Sequence, residues 1–410
     1  RMSDTFEIRM NSLVYGGDAL GRLPDGRAVF VPFALHGELV RIRPVEEKRG
    51  HMRAELVEVL EPAPCRAVPR CPHYTICGGC HYQHLDYPAQ LTAKTGILAE
   101  QLRRIGGLSD VPIRPAVPSP LPWNYRNQVQ FHLTPQGKLG FQRAGSEQVV
   151  PILECHLPEN AINQVWPQID LEPLPSLERI SLRAGSDGEL LLVLESSDPQ
   201  PLAFSVEELP VSAVHLGPGG ALVLAGSESI WLDVLERSFR VSAASFFQVN
   251  TPQAEAMVRH VHQLVGPEPL NTVLDVYCGV GLFSAFLAPL ARRLVGIELS
   301  PAACDDFAVN LDEYDHVELY EADAEGVLSS VSFQPDLILV DPPRAGLERS
   351  ALDGLLAQKA PRLIYISCDP ATLGRDARRL VAGGYHLVQV TPFDLFPQTY
   401  HIESISLWQR

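Results

Sequence analysis

From about residue 253 to the end, the chain alternates short apolar runs with runs of helical periodicity, and this alternation restricts the fold more than any other feature. Buried strands are indicated by TVLDVY, RLVGIEL, VELYEAD, DLILVDPP and RLIYISCD, and helices by AEAMVRHVHQLV, LFSAFLAPLA and PAACDDFAVNL. Strands that alternate with helices form a mostly parallel sheet with helices on both faces. The sequence therefore predicts a doubly wound, Rossmann-like α/β domain over this segment.

The segments before this domain have a β character. Over residues 1–60, the runs FEIRM, AVFVPF, ELVRIRPV and RAELVEVL are separated by glycine and aspartate turns, which predicts a small closed β-barrel. Residues 88–105 carry apolar residues at helical spacing and predict one helix. Between residues 108 and 243 the pattern is β-rich, with turns of proline and glycine, and it indicates no helix.

A glycine-containing turn, in LDVYCGVGLFS, follows the first predicted strand of the α/β domain. Gly279 and Gly281 let the backbone approach a ligand at the carboxyl edge of the sheet. Glu298 ends the next strand, where an acid can hydrogen-bond the hydroxyls of a ribose. The full G-x-G-x-x-G fingerprint is absent because position 284 is serine, so this pair of motifs favours S-adenosylmethionine over NAD.

Two further strand ends carry reactive or polar residues. Cys368 follows a buried strand in YISCDPATLGRD, where a thiol is either part of the core or placed for chemistry at the ligand edge of the sheet. Asp341 ends another strand in LVDPPRAGL. Enzymes that methylate amino nitrogens place an aromatic residue after the two prolines. Arg344 in this position argues against nitrogen methylation and leaves Asp341 as a contact to cofactor or substrate.

Cysteines form a second group of candidate ligands: Cys65, Cys71, Cys77, Cys80 and Cys155. The C-x₂-C pair of Cys77 and Cys80 encloses two glycines, whose backbone amides can face the sulfurs. This arrangement suits thiolate ligation of zinc or of an iron–sulfur cluster. Four sulfurs are needed and five are available, so one of the five is surplus.

The charge of the chain is unevenly distributed. The net charge is −16, but residues 1–143 carry 18 Lys and Arg against 13 Asp and Glu, whereas the rest carries 15 against 36. Such asymmetry can mark a nucleic-acid-binding surface on an otherwise acidic protein, although Lys and Arg also serve simply to solvate a surface. The sequence contains no apolar stretch of about 18 residues and no apolar signal segment, so we expect a cytoplasmic protein with no membrane partner.

Together these motifs resemble the iron–sulfur-containing family of RNA uracil-C5 methyltransferases, which includes the ribosomal RNA 5-methyluridine enzymes, and the resemblance covers nearly the whole chain. It implies that the barrel is a TRAM domain that binds RNA. It implies a [4Fe–4S] cluster rather than zinc, with the ligands Cys71, Cys77, Cys80 and Cys155. It also implies contacts to S-adenosylmethionine from Gln248, Tyr277, Leu282, Glu298, Asp323 and Asp341.

The same resemblance implies that Cys368 is the nucleophile and Glu403, in HIESISLW, the base. The C5 carbon of uracil is too weak a nucleophile to take a methyl group directly, and addition of a thiolate to C6 moves electron density onto C5. A base must then remove the proton from C5 before the thiolate leaves. The target uridine must leave its stack to reach the thiol.

We therefore expect three parts: a barrel over 1–60, a β-rich cluster domain over 61–87 and 108–245, and a catalytic domain over 88–107 and 246–410. The expected partner is RNA, with 23S ribosomal RNA favoured over transfer RNA, and the expected state is a monomer. Two other classes are possible. An amino-methyltransferase is opposed by Arg344, and a non-catalytic RNA-binding factor is opposed by the presence of both Cys368 and Glu403.

Overall fold

The barrel predicted from the first sixty residues is present in the computed structural model of the chain, which describes residues 5–200, 209–331 and 333–410. Its strands are β1 (Phe6–Leu13), β2 (Ala19–Arg22), β3 (Ala28–Val31), β4 (Leu39–Glu47) and β5 (His51–Glu61). They close in the order β1-β2-β3-β5-β4. Apolar side chains at alternate positions, such as Ile8 and Met10, fill the interior, since alternate residues of a strand point to one face.

The middle of the chain forms a seven-stranded sheet. Its strands are β6 (Gln128–Leu133), β7 (Leu139–Gln142), β8 (Val149–Pro151), β9 (Leu177–Ala184), β10 (Leu190–Ser196), β11 (Ser212–Gly217) and β12 (Gly220–Ala225), in the order β12-β11-β10-β9-β6-β7-β8. A hairpin of β13 (Ser229–Val234) and β14 (Arg237–Ser242) follows. The expectation of no helix here was wrong, because α2 (Asn160–Val165) lies between β8 and β9. It has six residues, too few for a helical period to be visible in the sequence.

The C-terminal sheet has the predicted doubly wound character. Its strands are β15 (Leu270–Val276), β16 (Ala291–Glu298), β17 (Val317–Glu321), β18 (Leu337–Val340), β19 (Arg362–Ser367), β20 (His386–Phe393) and β21 (Glu403–Gln409), in the order β17-β16-β15-β18-β19-β21-β20. The first five are parallel to one another, and β21 is antiparallel to both β19 and β20. The strand order reverses between β16, β15 and β18, the place where such sheets bind ligands.

Helices cover both faces of this sheet. They are α1 (Tyr87–Arg104), α3 (Thr251–Val265), α4 (Leu282–Leu287), α5 (Pro301–Asn310), α6 (Ala324–Ser330), α7 (Arg349–Ala357) and α8 (Pro370–Ala382). The prediction for 88–105 matches α1, which packs on α8 through residues that include Leu98, Leu102, Leu373 and Ala377. No helix in the described ranges is both long and apolar enough to cross a bilayer.

Candidate active site and cysteine cavity

Cys368 and Glu403 face each other at the end of the central sheet. In the antiparallel pair β19–β21, Ser367 is opposite Ser404, so the next position brings Cys368 opposite Glu403. Cys368 is half-buried and Glu403 is 3% exposed. The fold therefore places a thiol and a buried carboxyl side by side at the carboxyl edge of β19.

A second carboxyl group, that of Asp341, lies at this edge. Asp341 follows β18, and its backbone N–H donates to the carbonyl oxygen of Val276 at 3.2 Å. Burial, and then the charge of Asp275, raise the pKa of Asp341 to about 8. Burial and Asp341 raise the pKa of Glu403 well above its usual range. Both carboxyls can therefore hold a proton near neutral pH and release it when a cation or a reacting group approaches.

The thiol itself is held in its neutral form in this environment. Burial, and then the charges of Glu403, Asp341 and Asp369, together raise the pKa of Cys368 to about 12. The thiolate is the nucleophilic form of cysteine. In this environment the thiol form of Cys368 is therefore favoured over the thiolate.

Asp369 begins helix α8 directly after Cys368. Its Oδ1 accepts hydrogen bonds from the backbone N–H groups of Ala371 (2.9 Å) and Thr372 (3.0 Å), as an N-cap residue does. Its Oδ2 accepts a hydrogen bond from the hydroxyl of Tyr15 at 2.9 Å and lies 3.6 Å from Nε of Arg344. Tyr15 belongs to the barrel, so a residue far away in sequence reaches the neighbour of the thiol.

The turn after β15 is shaped to receive a ligand. Gly279 has a φ of +55°, and a Cβ atom added there would meet no other atom within 4 Å, so open space lies in front of this backbone. Its N–H donates to Oε2 of Glu298 at 2.9 Å, and Oε1 of Glu298 accepts from the N–H groups of Leu299 and Ser300. Glu298 is therefore fixed at the end of β16 beside the glycine turn.

The other predicted cofactor contacts have different degrees of exposure. Tyr277 is half-buried between β15 and the turn, with a φ of +63°. Leu282 begins α4 and is buried, and Gln248 is buried ahead of α3. Asp323 is exposed after β17, where it caps α6 through the N–H of Gly326. Tyr277, Glu298 and Asp323 follow or end neighbouring strands, and Leu282 follows the turn after β15, at the same carboxyl edge.

The four predicted ligand cysteines line one cavity. Its volume is about 270 Å³, and its lining includes Cys71, Cys77, Cys80, Cys155, Arg126 and His401. Cys65 lies outside this lining and packs instead beside Leu35, Tyr82 and Leu85. The structure thus separates the surplus cysteine from the four that share a cavity.

These four thiols are neutral as they stand. Burial raises the pKa of Cys80 to about 12 and that of Cys155 to about 11, and it also raises those of Cys71 and Cys77. In the described part of the chain, no group of three or more His, Cys, Asp and Glu side chains is arranged to hold a metal ion. The four sulfurs nevertheless line one cavity.

Comparison with known proteins identifies the family. A family model described as tRNA (Uracil-5-)-methyltransferase matches residues 324–410, which include Asp341, Cys368 and Glu403. An uncharacterized RNA methyltransferase of Aquifex aeolicus is 37% identical to this chain, with 98% of this chain and 97% of the relative covered. This chain belongs to the RNA uracil-5-methyltransferase family. The enzyme is also 32% identical to an uncharacterized RNA methyltransferase of Thermosynechococcus vestitus, over 98% of this chain and 97% of that one.

A solved structure extends this likeness to the fold of the whole methyltransferase. The tRNA (uracil-54, C5)-methyltransferase of Pyrococcus abyssi, in complex with S-adenosyl-L-homocysteine, is similar with a TM-score of 0.73. The match covers 98% of this chain and 100% of that chain at 24% sequence identity. The arrangement of barrel, β-rich sheet and methyltransferase sheet is therefore an architecture shared by both proteins.

Sequence reasoning missed two groups of the methyltransferase that approach Asp369, the residue next to Cys368. Tyr15 lies in a turn of the barrel, and the sequence YGGD indicates only a turn there. Arg344 was identified as a departure from the amino-methylating pattern, but its approach to Asp369 and to the hydroxyl of Tyr400 (3.4 Å) was not foreseen. Neither contact leaves a local sequence signal, because each joins segments that are distant along the chain.

Proposed function

We propose that this methyltransferase modifies C5 of a specific uridine through a covalent bond between the sulfur of Cys368 and C6 of the base. The observation that carries the proposal is the position of Cys368 opposite Glu403 at the carboxyl edge of β19. A nucleophile and a base on paired positions of neighbouring strands can act on neighbouring atoms of a flat ring.

The two residues divide the reaction between them. The thiolate of Cys368 adds to C6, the C5–C6 double bond opens, and the electron pair delocalises onto C5 and the O4 oxygen as an enolate. After C5 is methylated, it carries both the methyl group and its original hydrogen. Glu403 removes that proton, the C5–C6 double bond forms again, and the bond from C6 to sulfur breaks. The raised pKa of Glu403 makes its ionised form a stronger base than an exposed carboxylate.

The residues that would hold S-adenosylmethionine are Gln248, Tyr277, Leu282, Glu298, Asp323 and Asp341. When bound, this cofactor supplies an electrophilic methyl group on a sulfonium. The open space in front of Gly279, next to the fixed carboxylate of Glu298, supports a nucleoside at this edge. Asp341 lies between the glycine turn and Cys368 and would contact either the cofactor or the uracil.

We also propose that Cys71, Cys77, Cys80 and Cys155 hold a [4Fe–4S] cluster. The four thiols share one cavity, and a cation in it would stabilise the thiolates that burial alone disfavours. The cluster would join the loop of Cys71–Cys80 to the segment that carries Cys155. Its contribution in this proposal is structural, and no chemical step depends on it.

The proposed division of labour follows the three parts expected from the sequence, with a TRAM-like RNA-binding barrel over 1–60. The β-rich cluster domain spans 61–87 and 108–245, and the catalytic domain spans 88–107 and 246–410. We propose that the enzyme acts as a cytoplasmic monomer on 23S ribosomal RNA. Transfer RNA is the second candidate substrate, because the solved structure that is similar over the whole chain is a tRNA (uracil-54, C5)-methyltransferase.

The experiment is methyl transfer to defined RNAs. Purified enzyme is incubated with S-adenosylmethionine carrying a labelled methyl group and with either 23S ribosomal RNA or transfer RNA that lacks 5-methyluridine. We expect 5-methyluridine at one position of the ribosomal RNA and none in the transfer RNA. If only transfer RNA is labelled, transfer RNA replaces ribosomal RNA as the proposed substrate. Label on an amino nitrogen, or no label in either RNA, would refute the proposed reaction.

A further inference from the structure

The β1–β2 loop of the barrel reaches into the active site. Tyr15 donates its hydroxyl hydrogen bond to Oδ2 of Asp369 at 2.9 Å, and its ring lies edge-on to that of Tyr400 at 5.4 Å. Gly17, two residues further, is buried, and a Cβ atom there would lie 3.2 Å from the Cβ of His81. The loop is therefore packed between the cysteine segment and the residue next to Cys368.

The carboxylate of Asp369 is fixed by contacts on both oxygens. Oδ1 is engaged by the N–H groups that begin α8, and Oδ2 by Tyr15 and more distantly by Arg344. Arg344 is exposed and its Nε is 3.6 Å away, so the hydroxyl of Tyr15 is the nearer of these two partners. Burial and Asp369 raise the pKa of Tyr15 above its usual range, so the hydroxyl stays protonated and remains a donor.

The orientation of this carboxylate matters for the thiol next to it. Three acidic groups act on Cys368, namely Glu403, Asp341 and Asp369, and each of them, when ionised, opposes formation of the negative charge on sulfur. Glu403 and Asp341 have raised pKa values, so both can hold a proton near neutral pH and are then uncharged. The hydrogen bond from Tyr15 disperses the negative charge of Asp369, which reduces its opposition to ionisation of the thiol.

We propose that Tyr15 is a positioning residue of the active site, which acts through Asp369 to let the thiol of Cys368 ionise. The barrel then has a second role besides RNA binding, because it contributes a group to the environment of the nucleophile. The inference rests on the proposed role of Cys368 but concerns the ionisation of the thiol, which is measurable without RNA.

The test is the rate of alkylation of Cys368 by iodoacetamide as a function of pH. Cleavage after Arg362 and Arg375 releases residues 363–375, which contain one cysteine, so mass spectrometry reports on Cys368 alone. We expect Tyr15→Phe to slow alkylation about 3- to 10-fold at a given pH below the pKa, which corresponds to a rise in pKa of about half to one unit. The matched control is Tyr314→Phe, which removes the contact of a half-buried tyrosine hydroxyl with Arg237 away from the site.

A second pair of variants tests whether the effect passes through Asp369. Asp369→Asn keeps an N-capping side chain but removes the charge, and we expect faster alkylation than in the wild type. Tyr15→Phe added to Asp369→Asn should change nothing further. Superimposed pH profiles for Tyr15→Phe and wild type would overturn the proposal, as would an equal slowing in the Asp369→Asn background.

Folding and function are separable in this design. If Tyr15→Phe unfolds, Asp369→Asn alone still decides, because no gain in alkylation there would show that the charge of Asp369 does not act on the thiol. If Cys368→Ala retained methyl transfer, the proposed function would fail whatever the alkylation rates. If methyl transfer requires Cys368 but Tyr15→Phe leaves the alkylation profile of Cys368 unshifted, only the role of Tyr15 is refuted.

Discussion

The backbone N–H of Gly78 donates to the carbonyl oxygen of Gln142 at 2.9 Å, and this bond joins the cysteine loop to the end of β7. The neighbouring residue Cys77 forms an isolated bridge with Arg143. The loop Cys71–Cys80, which carries three of the four cavity thiols, is thus held against the β-rich sheet at Gly78. Its geometry depends on the absence of a side chain at that position.

Gly78→Ala should therefore disturb the cysteine cavity. A Cβ there would lie 2.9 Å from the Gln142 oxygen and 3.0 Å from the Ala144 nitrogen, both backbone atoms that cannot move aside alone. We expect a loss of about 1–3 kcal/mol in stability, as for overpacking elsewhere, and a lower iron content after anaerobic purification. Thermal unfolding and iron analysis are the measurements.

Gly79→Ala is the matched control for this change. A Cβ at Gly79 would meet only the sulfur of Cys77, at an ordinary 3.5 Å. We expect stability and iron content close to those of the wild type. Equal effects of the two substitutions would contradict the steric argument, and zinc in place of iron in the wild type would contradict the proposed cluster.

Much of the fold could be predicted from local pattern, and the site only in part. The strands that end in Asp341 and at Cys368 are short apolar runs, which single segments of sequence reveal. No helix was predicted at α2 or α6, which have only six and seven residues, too few to show a period, whereas the 13 residues of α8 carry a clear helical pattern that was missed. The contact of Tyr15 with Asp369 depends on how the barrel docks, and no local pattern encodes docking.

Asp275 is a buried acid whose ionisation should cost stability. Burial raises its pKa to about 7, and its Oδ2 accepts a 2.6 Å hydrogen bond from the hydroxyl of Ser284. Because the folded pKa is above the unfolded value, the favourable contribution is complete below about pH 4 and is lost as the pH rises through about 7. The folded protein should thus be penalised progressively between these values.

Asp275→Asn removes that titration. We compare the free energy of unfolding of Asp275→Asn with that of the wild type. This difference should be more favourable to the variant at pH 8 than at pH 5 by on the order of 2 kcal/mol. Urea unfolding at both pH values measures it. Asp110→Asn, at an exposed position, is the control and should show no such trend. A difference between Asp275→Asn and wild type that is the same at both pH values would show that Asp275 does not titrate in the folded state.

The basic excess of the N-terminal part does not lie on the barrel. Residues 1–61 carry nine Lys and Arg against ten Asp and Glu, whereas residues 62–143 carry nine against three. On the barrel, Arg9 pairs with Glu61 and Arg43 with Glu55. Arg103 and Arg104 are exposed at the end of α1, and neither takes part in an ion pair within the described ranges.

We therefore expect RNA affinity to depend more on Arg103 and Arg104 than on the paired barrel arginines. Each phosphate contact contributes about 0.7–0.9 to the slope of log K against log salt, so the double change to Gln should reduce the slope by up to about 2. The double change of Arg9 and Arg43 to Gln is the control and should reduce it less. Binding measured at several salt concentrations distinguishes the two, and a larger loss from the barrel pair would reverse the assignment.

Variants at Cys368 and Glu403 should differ in whether a covalent protein–RNA adduct accumulates, and this difference separates the roles of the two residues. Without the sulfur no bond to C6 forms, so Cys368→Ala should bind RNA and transfer no methyl group. In Glu403→Gln the thiolate can still add and C5 can still be methylated, but no base removes the C5 proton and elimination stops.

A protein–RNA adduct that carries the labelled methyl group should therefore survive denaturing electrophoresis of Glu403→Gln, and Cys368→Ala should form none. The double variant is the control, because it should lose the adduct if the bond runs through Cys368. Normal turnover by Glu403→Gln, or binding of RNA without any adduct, would exclude Glu403 as the base. Asp341 and Asp369, which also face the thiol, would then be the acids to replace next.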